Sequence, residues 1–327
     1  MLFRSKGDLT VALDYLERGR ELFVQGGDVR GVAGSLDDIG QVLWLLARYD
    51  EALDRSAAAL ETRRQLGDRR AIAASLMNIG NIERHRGLFD EADACYHEAL
   101  ELRRGLDDQA GIVQCENGLG VLAFQRGQVA DARKIWESAL AEAERIGALP
   151  LQALLLSHLG EAAHVESSRA EAQQRFVAAL ALAHDLDDKR LIAEVERHLG
   201  IIDLESGEHE RALERCEQSL TIATSAGIRV DVGRALVALG EVHAATLFDD
   251  TGHGELSAED YFTRGVQLFR DIGNEAELGL GLERFGRYRV ERGNVTEGKQ
   301  LLTEAEAIFR RLGMRAGDAL RLVIGEL

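Results

Sequence analysis

The sequence predicts an all-α fold, a solenoid of stacked antiparallel helix pairs. Three observations carry that prediction. First, the 327 residues include 34 glycines but one proline, Pro150, where average usage of about 5% would give roughly 16. Proline breaks helices and punctuates loops, so a chain this poor in it is expected to be mostly helical. Second, a glycine recurs every 40 residues, at Gly40, Gly80, Gly120, Gly160, Gly200 and Gly240, each behind Ile or Leu. Third, two ladders of small residues keep the same register. One runs Ala12, Ala52, Ala92, Ala132, Ala172, Ala212, Ala258 and Gly298; the other runs Gly19, Ala59, Ala99, Ala139, Ala179, Ser219, Gly265 and Ala305. Self-similarity at a fixed period marks a repeat architecture, and small residues at fixed helical positions let helices approach closely.

The elements follow in order. Residues 1–30 read as a partial repeat, a second-type helix only, over residues 10–25. Residues 31–314 read as seven complete helix pairs. First helices are expected to begin near Val32, Ala71, Gly111, Leu151, Leu191, Asp231 and Ala276. Their partners are expected near Glu51, Glu91, Asp131, Ala170, Arg211, Ala258 and Glu297. The next ladder member, Gly286, is displaced by six, and the surplus falls in residues 249–257, read as a loop insertion. Residues 315–327 read as a terminal capping helix.

The second pair shows the local logic. Residues 71–86 carry Ile72, Leu76, Ile79 and Ile82 at the spacing of one buried helical face. A turn follows at Gly87, with Asp90 expected to cap the next helix. Residues 91–106 begin acidic and end with Arg103 and Arg104, which suits the helix dipole. Two sets of glycines punctuate the repeats. Gly7, Gly87, Gly127, Gly207 and Gly293 lie in turns within pairs; Gly27, Gly67, Gly147, Gly227, Gly273 and Gly313 follow second helices. Both places call for a left-handed residue. The turn at residues 166–169 lacks its glycine.

At Leu76, Ile79-Gly80, Ala92, Tyr96 and Ala99 the sequence resembles the tetratricopeptide repeat (TPR) family. The pattern recurs at Leu119-Gly120, Ala132, Trp136 and Ala139, and at Leu159-Gly160, Ala172, Phe176 and Ala179. The period of 40 in place of about 34, and the missing terminal proline, resemble the longer repeats of kinesin light chain-like and bacterial regulator TPR domains. Ser56 and Cys216 stand where Tyr96 stands in its own unit. The Trp136 position implies core packing, whereas Trp44 is open between core and surface.

The resemblance implies a right-handed superhelix whose concave groove is lined by first helices. It implies a protein–protein interaction scaffold that binds a peptide or partner domain and belongs to a bacterial signalling or regulatory protein. The alternative is a peptide-responsive sensor module of a transcription regulator or kinase. Groove candidates are Asp38, Gln41, Asn78, Asn81, Asn117, His158, Glu161, His198, Glu241, Arg284 and Arg287. Asn78 with Asn81 suits a peptide backbone, since an amide both donates and accepts; Arg284 with Arg287 suits a carboxylate. The competing reading is of ordinary solvated residues.

Other chemistry is not expected. The chain has no P-loop, H-E-x-x-H or G-x-S-x-G motif. The string at Gly118, Gly120 and Ala123 fits G-x-G-x-x-A, but it lies in mid-helix. His158, Glu161 and His164 could share a helix face, which is a weak case for metal. No enzyme activity, cofactor or metal is therefore expected. Cys95, Cys115 and Cys216 are odd in number and far apart, as befits buried reduced thiols. With 39 Lys+Arg against 56 Asp+Glu, the net charge is −17, which disfavours nucleic acid and anionic membranes as partners. No targeting or membrane segment is visible, so the expected location is cytoplasmic. The array begins mid-unit, leaving Leu13, Leu16 and Leu22 at an uncapped edge. Two expectations follow: a missing N-terminal domain, or a homo-oligomer through that edge.

Overall fold

The computed structural model describes residues 9–245 and 256–314, with Leu320, Ile324 and Gly325 beyond them. Residues 1–8, most of the 249–257 insertion, and most of the 315–327 helix lie outside the described residues. Among the described residues there are fifteen helices and no strand. Helix α1 (Leu9–Gln25) stands first. Seven pairs follow: α2 (Val29–Leu45) with α3 (Tyr49–Gln65), α4 (Arg69–His85) with α5 (Phe89–Arg104), α6 (Gln109–Gln125) with α7 (Val129–Arg145), and α8 (Leu149–Val165) with α9 (Arg169–Asp185). The remaining three are α10 (Lys189–Glu205) with α11 (His209–Ala226), α12 (Arg229–Ala245) with α13 (Ala258–Ile272), and α14 (Glu275–Glu291) with α15 (Val295–Arg311).

The chain forms two compact units, residues 1–124 with 128–158, and residues 125–127 with 159–327. Each is an all-α stack of helix pairs. In the first unit α2 packs on α1, α3 and α4; in the second α12 packs on α10, α11, α13 and α14.

The glycine ladder explains the close packing within a pair. A Cβ at Gly80 would come within 2.6 Å of the Tyr96 ring, and one at Gly160 within 2.8 Å of Phe176. Each first helix thus leaves a notch that the bulky residue of its partner fills. Tyr96, Trp136, Phe176 and Phe262 are among the most deeply buried side chains. Where the partner residue is small, the notch is still filled: Ser56 and Cys216 are buried under Gly40 and Gly200.

The turns follow the 40-residue period even where the residue is not glycine. Gly87, Gly127, Gly207 and Gly293 have positive φ, and so do Ala47 (58°) and Ser167 (61°) at the equivalent place. Behind second helices the same conformation recurs at Gly27, Gly67, Gly147, Gly227, Gly273 and Gly313, and at Asp107 and Asp187. Pro150 is the second residue of α8, in a first turn whose N–H groups have no intrahelical acceptor.

The helices begin up to three residues earlier than the sequence pattern suggests. Asp90 is not the cap of α5: Leu88 occupies that place without a side-chain cap, and Asp90 lies in the first turn. The left-handed Gly87 and buried Phe89 set the entry instead. Side-chain caps appear on first helices, where Asp28, Asp68 and Asp188 accept from Gly31, Ala71 and Leu191 N–H groups. At the first edge Leu22 is exposed, while Leu13 and Leu16 are half-buried.

Candidate functional site

In the first unit the first helices present amides side by side. Gln41 Nε2 on α2 donates to Asn78 Oδ1 on α4 at 3.1 Å. One turn along α4, Asn81 Oδ1 accepts from the Tyr96 hydroxyl at 2.8 Å. Tyr96 is buried in the core, so the position of Asn81 is fixed from below while its NH2 group stays available as a donor. Asp38 is exposed on α2. Asn117 on α6 is half-buried, and its Oδ1 lacks a hydrogen-bond partner among the described residues; its backbone carbonyl accepts from Trp136 Nε1 at 3.4 Å. Beyond this amide set, Trp44 meets His85 edge-on at 5.2 Å between ring centroids, and His85 stacks on Tyr49.

The two candidate histidines are not free-standing. His158 stacks on Trp136 with centroids 5.0 Å apart, and His198 on Phe176 at 4.9 Å. Each sits on the aromatic of the preceding pair, 22 residues earlier. Gly118 occupies the same place above Tyr96, where a Cβ would come within 3.1 Å of the ring.

In the second unit the expected charges pair with one another. Arg284 on α14 forms a salt bridge to Glu241 on α12, and Arg287 meets Glu283 at 2.9 Å. Arg284 and Arg287 are therefore each engaged by an internal carboxylate and do not form an open pair. Glu161 lies 3.9 Å from His198 Nε2. His164, grouped with His158 and Glu161 in the metal reading, meets Glu205 on α10 at 2.9 Å.

A second charged cluster lies nearer the starts of α10, α12 and α14. Arg190 pairs with Glu194 at 3.5 Å, and Arg234 with Asp231 at 3.0 Å and with Glu277. Burial works against the Arg234 cation, yet Glu277 and Asp231 hold its pKa well above the usual arginine range. Burial raises the Asp231 carboxyl, against the pull of Arg234 and Arg190. Arg197, between these groups, contacts His198 Nε2 at 2.7 Å. Sequence reasoning did not single this cluster out, although a signal existed. Six residues before the ladder glycine the pairs carry Gly34, Ala74, Gln114, Leu154, Glu194, Arg234 and Leu280, so charge at that position is confined to α10 and α12.

Cysteine chemistry is suppressed. Burial pushes the thiols of Cys95 and Cys115 up to about 11 and that of Cys216 up to about 12, far from the thiolate that reactivity requires. The G-x-G-x-x-A string lies inside α6, with Gly120 under Trp136. Among the described residues, no helix is long and apolar enough to cross a membrane.

Two segments, residues 32–66 and 71–145, match models of the tetratricopeptide repeat. A search of curated proteins returns no match. Solved structures share the fold at low identity. The Rap conjugation gene regulator of plasmid pLS20, solved with a Phr peptide, is similar at 13% identity and a TM-score of 0.74, over 88% of this chain and 77% of that one. A Rap protein complexed with Competence and Sporulation Factor gives 16% and 0.67, over 97% and 87%. Aspartyl phosphate phosphatase F from Bacillus subtilis gives 14% and 0.63, over 88% and 73%.

Proposed function

We propose that this chain, which carries tetratricopeptide repeats, is a non-catalytic peptide-binding module of a bacterial signalling or regulatory protein, working in the cytoplasm. The observation that carries the reading is the amide set on α2 and α4. Gln41 and Asn78 are bonded across two helices, and Asn81 is anchored by a buried tyrosine. An extended peptide offers alternating N–H and C=O groups, and amides held in one row can answer both. A rigid, preformed row also spares the entropy of ordering loose side chains on binding.

The solved relatives support the reading. One was solved with a Phr peptide and another with Competence and Sporulation Factor, and this chain shares their fold. A peptide that binds such a face can bias the arrangement of neighbouring repeats, so scaffold and peptide-responsive sensor are two uses of one surface.

The test is direct binding. Fluorescently labelled short peptides are titrated against the wild type and against Asn78→Ala with Asn81→Ala. We expect the double variant to keep its helical circular dichroism and lose at least about tenfold in affinity, the cost of roughly one charge-free amide contact pair. Unchanged affinity in a folded double variant refutes the assignment of this face.

A further inference from the structure

Among the described residues, the charged cluster of the second unit contains one cation that forms no ion pair. Arg190 has Glu194, and Arg234 has Asp231 and Glu277. Arg197 lies on the same face of α10, half-buried, and its hydrogen-bond partner among the described residues is His198. Arginine only donates, so the 2.7 Å contact needs an unprotonated Nε2 on His198, which makes the partner neutral. His198 is in turn held flat on Phe176. The acceptor is thereby fixed in place, and it fixes the guanidinium.

A half-buried guanidinium with a neutral partner is under-compensated, and partial burial of a cation is costly unless a charge meets it. Burial, and then the like charge of Arg234, hold the Arg197 pKa below the usual arginine range, against Glu161, Glu194 and Glu277. In a chain of net charge −17 carboxylates are plentiful, yet none among the described residues forms an ion pair with this position.

We propose that Arg197, oriented by His198, is a binding site for a carboxylate of a peptide ligand. A carboxylate accepts from the guanidinium in a forked geometry and supplies the direct ion pair that this cation lacks, in a partly dehydrated place where such bonds are strongest. The surrounding Glu161, Glu194 and Glu277 act as negative selectors, since a poorly placed anion meets them first. The inference deepens the peptide reading and rests on it for the identity of the ligand.

Two measurements test it and keep the two readings apart. In the first, the full chain is labelled with 15N-arginine and titrated with sodium acetate against sodium chloride at equal ionic strength. The Arg197 Nε–H signal is assigned by its loss in Arg197→Gln. A saturable shift with acetate alone is expected, and no response beyond chloride overturns the site. In the second, three pools of short synthetic peptides are compared: amidated without Asp or Glu, the same pool with free C-termini, and amidated with Asp allowed. A carboxylate-bearing pool should bind about tenfold tighter than the first, the value of one charge-assisted hydrogen bond. Arg197→Gln should erase the difference and leave the neutral pool unchanged. The free-acid and Asp arms show whether terminus or side chain supplies the group. Binding without carboxylate preference overturns this inference and leaves the peptide reading standing. A saturable acetate shift with no peptide binding does the reverse. Arg197→Gln should melt no lower than the wild type, because it removes a half-buried cation that forms no ion pair; Arg197→Lys retains the charge without the fork.

Discussion

The imidazole of His198 lies flat on the phenyl ring of Phe176, with centroids 4.9 Å apart and planes 11° from parallel. The two residues belong to different helix pairs, so the stack joins the core of one pair to the first helix of the next. His158 on Trp136 repeats the relation at 5.0 Å and 21°. A half-buried histidine is in this way positioned by a fully buried ring.

That coupling is measurable by a double-mutant cycle. His198→Ala and Phe176→Leu should each lower the urea midpoint. Their combined effect should fall short of the sum by about 0.5–1.5 kcal/mol, the excess of a stacked aromatic pair over simple burial. Additive losses would show that the rings are merely adjacent.

Glycine to alanine should change sign with position in the same helix type. Gly34 in α2 has nothing within 4 Å of an added Cβ, so Gly34→Ala should gain about 0.5–1 kcal/mol through helix propensity. Gly120 in α6 has the Trp136 indole inside contact distance, so Gly120→Ala should lose about 1–3 kcal/mol through overpacking. Pairing Gly120→Ala with Trp136→Leu should recover part of that loss. Equilibrium urea unfolding of the three variants decides the matter.

These residues also show what the sequence disclosed and what it hid. The ladder glycines, the small-residue positions and the left-handed turns were legible because each is a backbone requirement that recurs with the period. Notch glycine and filler are 16 residues apart in Gly80 and Tyr96, Gly120 and Trp136, and Gly160 and Phe176, and they meet in space for that reason. The Arg197 cluster was harder to read. Its partners, Arg234 and Glu277, come from different repeats, and pairing among charged side chains is decided by rotamers and burial, which have no period. Arg284 and Arg287 looked like an open pair for the same reason: nothing in the sequence pairs them with their carboxylate partners, Glu241 and Glu283.

Ser167 tests whether turn geometry belongs to the repeat or to the residue. It holds φ of 61° where its equivalents are Gly127 and Gly207. A side chain in that region carries a steric cost that glycine avoids, so Ser167→Gly should gain about 0.5–1 kcal/mol. Gly207→Ala, at φ of 80°, should lose about 1 kcal/mol although open space surrounds it. Thermal or urea unfolding reads both, and a gain for Gly207→Ala would mean that the turn re-forms around the new residue.

Asp108 gives the chain a defined acid sensitivity. Its Oδ1 accepts from Gly111 N at 3.1 Å, and its Oδ2 from Arg103 of α5. Burial pushes the carboxyl up, but the Gly111 N–H and the Arg103 guanidinium outweigh it, and the net pKa falls below 3.8. A depressed carboxylate stabilises the fold fully above its unfolded pKa, and that contribution is lost as pH falls through the folded value. Asp108→Asn keeps an acceptor for Gly111 but removes the charge that answers Arg103. Near neutral pH it should cost about 1–3 kcal/mol, the range for a hydrogen bond to a charged group together with the unpaired partner left behind. The gap between wild type and variant should hold down to about the unfolded value of 3.8 and close below it, as the wild-type carboxyl takes up its proton. Urea unfolding of both proteins across that acid range measures the gap directly. A gap that stays constant into strong acid would assign the loss to packing and not to charge.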